Sequence, residues 1–265
     1  MTIPYWHVDA FADRPFTGNQ AAVMELDAWL DDAVLQDIAA ENLFAETAFI
    51  IPDASDDADW ELRWFTPTVE VRLCGHATLA TGHVLLGRDP ACGSIRLRTR
   101  HAGVLEVRRT SGAFAYEVAL PAIVTERADF PEAEADLGGR PQETWRSPDG
   151  YTAFFYASED EVRALQPDFR ALALLGDELL IATAPGRETD VVSRAFAPGA
   201  GIDEDPVTGS AHAVLAPLWA MKLGSDRFTA FQASARGGGL ACRLDGHRVW
   251  LSGDCRTVVE GTFIM

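Results

Sequence analysis

The segment "CGHATLATGHVLLG", residues 74–87, decides the fold. A helix over it would be apolar nearly all round, and the segment "TGSAHAVLAPLWAMKLG", residues 208–224, has the same character. A helix without a polar face has to be enclosed, and a strongly curved sheet wrapped around it is an economical enclosure. The two segments therefore predict two central helices, one beginning at Gly75 and one at Gly209, each inside its own sheet.

These segments belong to a longer internal repeat. The pentapeptide "RWFTP" at 63–67 precedes the first segment, and "RAFAP" at 194–198 precedes the second. "HVLLG" and "AMKLG" then close the two segments at Gly87 and Gly224, each expected to be a left-handed helix cap. Because order and spacing agree over several short elements, we favour an internal duplication.

The remaining chain reads mainly as strands. Apolar runs or alternation predict strands at 3–11 and 43–51 and in "SIRLRTRHAGVLEVRR" and "LACRLDGHRVWLSG", whereas 31–42 is typical of a helix. The predicted fold class is α+β, with two pseudo-symmetric domains, each a curved, mostly antiparallel sheet around a central apolar helix. We expect these domains at 1–119 and 120–265, with the last strand free to return to the first domain.

Composition bounds the classes of function. The chain has 265 residues, 48% of them hydrophobic, and a formal net charge of −18, which disfavours nucleic acid as a partner. No signal-peptide pattern or apolar run of about 18 residues occurs, so we expect a cytoplasmic protein without a membrane partner. Four cysteines without a CxxC pair predict free thiols, and His76 and His83 lack a close third ligand, so no metal site is expected.

The starts of the two predicted helices are candidate anion sites. Their first amides lack partners within the helix, and Gly75 and Gly209 would let a ligand approach closely. If the two ends share a cleft, a small carboxylic acid could bind there; simple capping by solvent is the alternative. Candidate polar groups nearby are His76, Asp205 and Ser210.

Glu46 is a candidate proton carrier. It lies in "FAETAF", where apolar neighbours surround one carboxylate between a helix and a strand. Such surroundings suit a carboxylate that exchanges a proton near neutral pH.

Four stretches resemble the PhzF-like phenazine biosynthesis family: "DAFADRPFTGNQAAV", "AAENLFAETAFI", "RWFTPTVEVRLCGHATLATGHVL" and "GIDEDPVTGSAH". The resemblance implies the diaminopimelate epimerase fold and an isomerase without cofactor, which moves a proton within a small carboxylic acid. It implies Glu46 as the proton-transferring group, accompanied by His76, Asp205 and Ser210. We add Asn19, Gly75 and Gly209 as candidate substrate-binding residues; a homodimer and a role in biosynthesis stay hypotheses.

Two other functions remain open at this point. Epimerases of the implied fold use two cysteines, and Cys74 occupies one matching position, but Thr208 stands at the other and its hydroxyl is too weak an acid for that role. An amino-acid epimerase or racemase that depends on Cys74 is one alternative. A non-catalytic protein that binds small anions is the other.

Overall fold

The computed structural model describes residues 1–265, which divide into two compact units. The first unit comprises Met1–Leu120 and Trp250–Met265, and the second comprises Pro121–Val249. None of the helices combines the length and the apolarity needed to cross a membrane.

The strands are β1 (Thr2–Ala10), β2 (Asn19–Glu25), β3 (Glu46–Pro52), β4 (Trp60–Phe65), β5 (Glu70–Val71), β6 (Ser94–Thr99), β7 (Val104–Arg109), β8 (Tyr116–Pro121), β9 (Glu126–Arg127), β10 (Glu143–Ser147), β11 (Tyr151–Phe155), β12 (Leu179–Pro185), β13 (Val191–Ala197), β14 (Ile202–Asp205), β15 (Arg227–Gln232), β16 (Gly238–Asp245), β17 (Arg248–Gly253) and β18 (Cys255–Ile264). The helices are α1 (Asp32–Asn42), α2 (Gly75–Arg88), α3 (Pro131–Leu137), α4 (Glu159–Ala164), α5 (Phe169–Ala173) and α6 (Gly209–Leu223), with a 3₁₀ turn at Pro198–Ala200.

The strands of both units pair in the same order of parallel and antiparallel orientations. In the first unit, β1–β2 is antiparallel, β2–β3 parallel, β3–β4 antiparallel, β4–β6 parallel and β6–β7 antiparallel. In the second, β10–β11, β11–β12, β12–β13, β13–β15 and β15–β16 repeat that order of orientations. Each parallel step is crossed by helix, as parallel pairs require. The repeated pairing confirms the α+β fold class and is the pattern expected of an internal duplication.

A buried helix lies at the centre of each unit. In α2 every residue from Gly75 to Leu86 except His83 is buried, and the helix packs against β1, β2, β3, β6 and β7. In α6, the residues from Gly209 to Trp219 are buried except Ser210 and Pro217, and the helix packs against β11 and β16. Both helices begin at the glycines predicted from the sequence.

The ends of the two central helices differ from each other. Gly224 is the left-handed cap of α6, with φ of 66°, as expected. The same expectation for Gly87 is wrong, because α2 continues to Arg88 and its cap, Asp89, is extended. Arg88 pairs with Glu25 and lies 4.8 Å from the centroid of the Trp6 ring, and these contacts favour one more helical residue.

A proline inside α6 removes one hydrogen bond of the helix, and a residue outside the helix replaces it. Pro217 has no N–H, so the carbonyl of Ala213, four residues earlier, lacks its usual helical donor. The N–H of Ile123 donates to that carbonyl at 3.1 Å. A segment outside the helix thus satisfies the group that the proline leaves open.

One arginine in each unit, buried in the first and partly buried in the second, fixes the segment leading to the central helix. Arg63 donates to both carboxylate oxygens of Glu70, each at 2.8 Å, and Arg194 donates to those of Glu204 at 2.8 and 3.0 Å. Each guanidinium also packs on the phenylalanine two residues further along the chain. Bidentate arginine–glutamate hydrogen bonds are strong and have a defined geometry. They therefore stabilise the turns that precede α2 and α6.

We expect Gly82→Ala to lower the free energy of unfolding by about 1–3 kcal/mol, since an added methyl group overpacks this interior. Its Cβ would lie 2.3 Å from Cγ1 of Val107, where α2 crosses β7. Gly87→Ala, in the same helix, is the matched control, because nothing lies within 4 Å of its added Cβ. The Gly87→Ala variant should leave the free energy of unfolding unchanged or raise it by about 0.5–1 kcal/mol. Urea unfolding measures both, and equal midpoints for the two variants would contradict this packing.

Candidate active site

Two parallel strands and a helix start bring three predicted residues together. Asn19 is the first residue of β2 and Glu46 the first of β3, and the parallel register pairs Glu46 with Ala21. Because neighbouring parallel strands begin at the same edge of a sheet, both side chains lie near that edge. The helix α2 packs against both strands and places His76 in its first turn.

The imidazole of His76 is the centre of this group. Its Nδ1 lies 3.1 Å from Nδ2 of Asn19 and 3.6 Å from Sγ of Cys74, and its Nε2 lies 3.1 Å from Oε2 of Glu46. His76 is 3% exposed and the side chain of Glu46 13% exposed. The contact with Glu46 is at ion-pair distance, but the two atoms are not aligned as a hydrogen bond.

The proton affinities of His76 and Cys74 are both perturbed. Burial alone would lower the pKa of His76, but the neighbouring Cys74 and Glu46 raise it, and the balance lies well above the ordinary value. Glu46 contributes to this shift from a distance of 3.1 Å. Burial, assisted by the charge of Glu46, raises the pKa of the Cys74 thiol to about 11. The raised pKa of Cys74 keeps its thiol protonated at neutral pH, and the raised pKa of His76 favours a proton on its ring.

A strained turn sets the start of β3. The helix α1 ends at Asn42, and Leu43 caps it in the left-handed region with φ of 55°, a conformation that costs a leucine free energy. Nδ2 of Asn42 donates to Oγ1 of Thr47 at 3.0 Å, which holds the turn closed. The strand therefore begins at Glu46 itself, three residues later than the sequence predicts.

A second polar group lies at the start of α6. The N–H of Thr208 donates to Oε1 of Gln232 at 2.8 Å, and Nε2 of Gln232 donates to the carbonyl of Asp205 at 2.7 Å and to Oγ1 of Thr208 at 3.0 Å. Because the amide donates to that hydroxyl, the hydroxyl hydrogen is directed to Oδ2 of Asp205, at 2.5 Å. The hydroxyl of Thr208, which is the counterpart of Cys74, therefore donates its hydrogen to the carboxylate of Asp205. Gly209 is buried and Ser210 is partly exposed in the first turn of the same helix.

His212 has a structural role in α6. Its Nδ1 donates to the carbonyl of Thr208 at 2.8 Å, and its Nε2 lies 3.4 Å from Oγ of Ser193. Burial lowers its pKa to about 4, so the ring is neutral at pH 7. The pKa values of the histidines in the two central helices are therefore shifted in opposite directions.

The sequence profile of phenazine biosynthesis-like proteins matches residues 8–261. The chain belongs to this family. A protein called an uncharacterized isomerase, from Pseudomonas aeruginosa, is 45% identical over 98% of each chain. A crystal structure of a PhzF-family phenazine biosynthesis protein from Enterococcus faecalis is 39% identical, covers all of both chains and superposes with a TM-score of 0.88.

A more distant solved structure supports the fold. The hydroxyproline epimerase of Agrobacterium vitis covers 98% of this phenazine biosynthesis-like chain and 92% of its own, with a TM-score of 0.65 at 11% identity. At that identity the likeness concerns architecture alone. It agrees with the epimerase-type fold that the sequence motifs imply.

Sequence reasoning missed several contacts of the candidate residues. Asn19, predicted to bind substrate, faces Nδ1 of His76, and Cys74 lies beside the same nitrogen. Gln232 was not predicted, although a signal exists: in "RFTAFQ" it occupies an inward position of an alternating strand, where a polar side chain needs a buried partner. Asp205 and Ser210 stay predicted site residues.

We expect Glu46→Gln to lower the pKa of His76, because the carboxylate that opposes desolvation is then lost. Titration of the imidazole signals by NMR measures this shift. His212 is the internal control, since its pKa of about 4 has no contribution from Glu46. An unchanged His76 titration would show that the 3.1 Å contact with Glu46 does not set its charge.

For the start of α6, we expect Thr208→Val to lower the free energy of unfolding by about 1–3 kcal/mol, since buried groups lose a hydrogen-bond partner. Thr208→Ser keeps the hydroxyl and is the control, with a much smaller loss. Denaturant unfolding of the two variants provides the comparison. Equal losses would mean that packing of the methyl group contributes as much as the hydroxyl, and a Thr208→Val variant as stable as the original protein would contradict the role of the hydroxyl.

Proposed function

We propose that the protein is an isomerase that needs no cofactor and moves a proton within a small carboxylic acid, cyclic or open-chain, by acid/base catalysis. The relatives support the reaction class, because three of them are called isomerases. The observation that carries the proposal is the carboxylate of Glu46, largely buried and 3.1 Å from Nε2 of His76 at the start of α2.

Glu46 fits the role of the group that carries the proton. In the proposed reaction its carboxylate takes a proton from a carbon of the substrate, and the electron pair of that C–H bond moves into the conjugated acid. The protonated Glu46 then returns the proton to another carbon, so that a new C–H bond forms and no electrons are gained or lost. A pocket that keeps the carboxylate mostly out of water favours this transfer.

His76 and the helix start fit the role of charge stabilisers. Negative charge develops on the conjugated acid while the proton is on Glu46. The ring of His76, whose pKa is raised, and the amides at the start of α2 are preorganised partners for such charge. Asp205 and Ser210 remain proposed participants on the strength of the family motif, with Asp205 orienting or relaying and Ser210 hydrogen-bonding the ligand.

The environment of Cys74 argues against the two-thiol alternative. A base that starts an epimerisation has to be deprotonated, but the pKa of Cys74 is about 11. Its counterpart Thr208 donates its hydroxyl hydrogen to Asp205. Neither helix start therefore offers a ready thiolate, and Glu46 is the better base.

The test is exchange of substrate hydrogen with deuterated solvent. A panel of small unsaturated, cyclic and amino carboxylic acids is incubated with the protein in D₂O and followed by NMR and mass spectrometry. With an acid that is turned over, we expect Glu46→Gln to reduce both turnover and deuterium incorporation by about 10²–10⁴-fold. Glu41→Gln, at an exposed position five residues earlier, is the control and should retain activity.

Other variants separate the alternatives. Full activity in Glu46→Gln together with inactivity of Cys74→Ala would favour the thiol-dependent epimerase. Binding of acids that raises the melting temperature, without exchange or conversion of any of them, would favour the anion-binding protein.

A further inference from the structure

Three side chains of different donor chemistry meet in the first unit. A sulfur of Cys74, a ring nitrogen of His76 and a carboxylate oxygen of Glu46 all lie within 4.8 Å of one another. We call these three residues the S/N/O cluster. Thiolate, imidazole and carboxylate are the three side-chain ligands that Zn²⁺ uses in proteins.

The cluster leaves two buried polar atoms poorly satisfied. Nε2 of His76 and Oε2 of Glu46 are shielded from solvent and face each other at 3.1 Å without hydrogen-bond alignment. Buried polar atoms usually have well-aligned hydrogen-bond partners, so this pair, held only at ion-pair distance, can accept a further ligand. A cation bound beside them would satisfy both.

Two of the separations are near those expected of ligands around one small ion. Ligand atoms about 2.0–2.3 Å from Zn²⁺ in a tetrahedral site lie roughly 3.3–3.8 Å apart. The separations here are 3.6 Å from Sγ of Cys74 to Nδ1 of His76 and 3.1 Å from Nε2 of His76 to Oε2 of Glu46. Because these contacts use opposite nitrogens, the ring has to turn so that one nitrogen faces both neighbours.

We propose that the S/N/O cluster is a three-ligand site for Zn²⁺, and that the ion inhibits the protein when bound there. Binding forms bonds from the metal to sulfur, nitrogen and oxygen, and the protons of the thiol and the imidazolium leave to the buffer. The two anionic ligands balance the charge of the ion, so the occupied site is neutral within a buried setting. The inhibition rests on the proposed function, since a carboxylate bound to metal can no longer accept a substrate proton. The binding of Zn²⁺ itself does not depend on that function.

The first test uses Co²⁺ alone as a spectroscopic substitute for Zn²⁺. Titration of the reduced protein should produce a thiolate-to-cobalt charge-transfer band with one ion per chain, and Zn²⁺ should displace it. Cys74→Ser should abolish the band, and His76→Gln should weaken binding by about tenfold or more. Cys92→Ser is the matched control, because Cys92 is the one thiol that is not buried, and this variant should behave like the original protein.

A second measurement uses the unaltered chain, so it does not depend on the folding of a variant. Paramagnetic Co²⁺ should broaden the NMR signals of His76 and leave those of the exposed His101 unchanged. Broadening of His101 alone, a band that survives Cys74→Ser, or the absence of any band would overturn the metal site.

Activity then distinguishes this proposal from the proposed function. Zn²⁺ should reduce solvent-deuterium exchange in proportion to its occupancy, and a chelator should restore it. Saturation of the cluster with Zn²⁺ without loss of exchange would overturn the inhibition and the role of Glu46, but not the site. Exchange that depends on Glu46, without a cobalt band, would overturn the site and leave the proposed function intact.

Discussion

Enclosure of an apolar helix is the constraint on which the rest of the structure depends. The helices α2 and α6 bury most of their residues, so each needs a sheet curved around it. The ends of an enclosed helix nevertheless carry amides without helical partners, and these need other groups. Neither helix start has a side-chain cap hydrogen bond, but polar side chains lie around Gly75 and Gly209, and the candidate chemistry lies there.

The two units have kept a common scaffold while their helix starts have diverged. The pairing order of the strands and the arginine–glutamate forks of Arg63 and Arg194 are shared. The residue before each helix is a thiol in one unit and a hydroxyl in the other, Cys74 and Thr208. The thiol lies beside the ring of His76, whereas the hydroxyl is fixed between Gln232 and Asp205. The shared pairing is the pattern expected of an internal duplication, and the two helix starts differ at a few positions.

The fold was predictable because its signals are local and repeated. Hydrophobic runs located both central helices at their first residues, and alternation located the later strands. The end of α2 was not predictable, because it depends on contacts of Arg88 with Glu25 and Trp6, which are distant in sequence. The same limit applies to the site. Asn19 and His76 are 57 residues apart, and no periodicity encodes the meeting of their side chains.

The pairing of β1 with β18 also bears on the order of folding. The register joins Thr2 to Ile264 and Ala10 to Cys255, so the first unit draws its edge strand from the last residues of the chain. Residues 121–249, the whole second unit, lie between these partners and emerge earlier from the ribosome. While they are synthesised, one edge of β1 has no strand to pair with, and an unpaired edge is a site for contact with other chains. The second unit can thus complete its sheet during translation, whereas the first has to await the final strand.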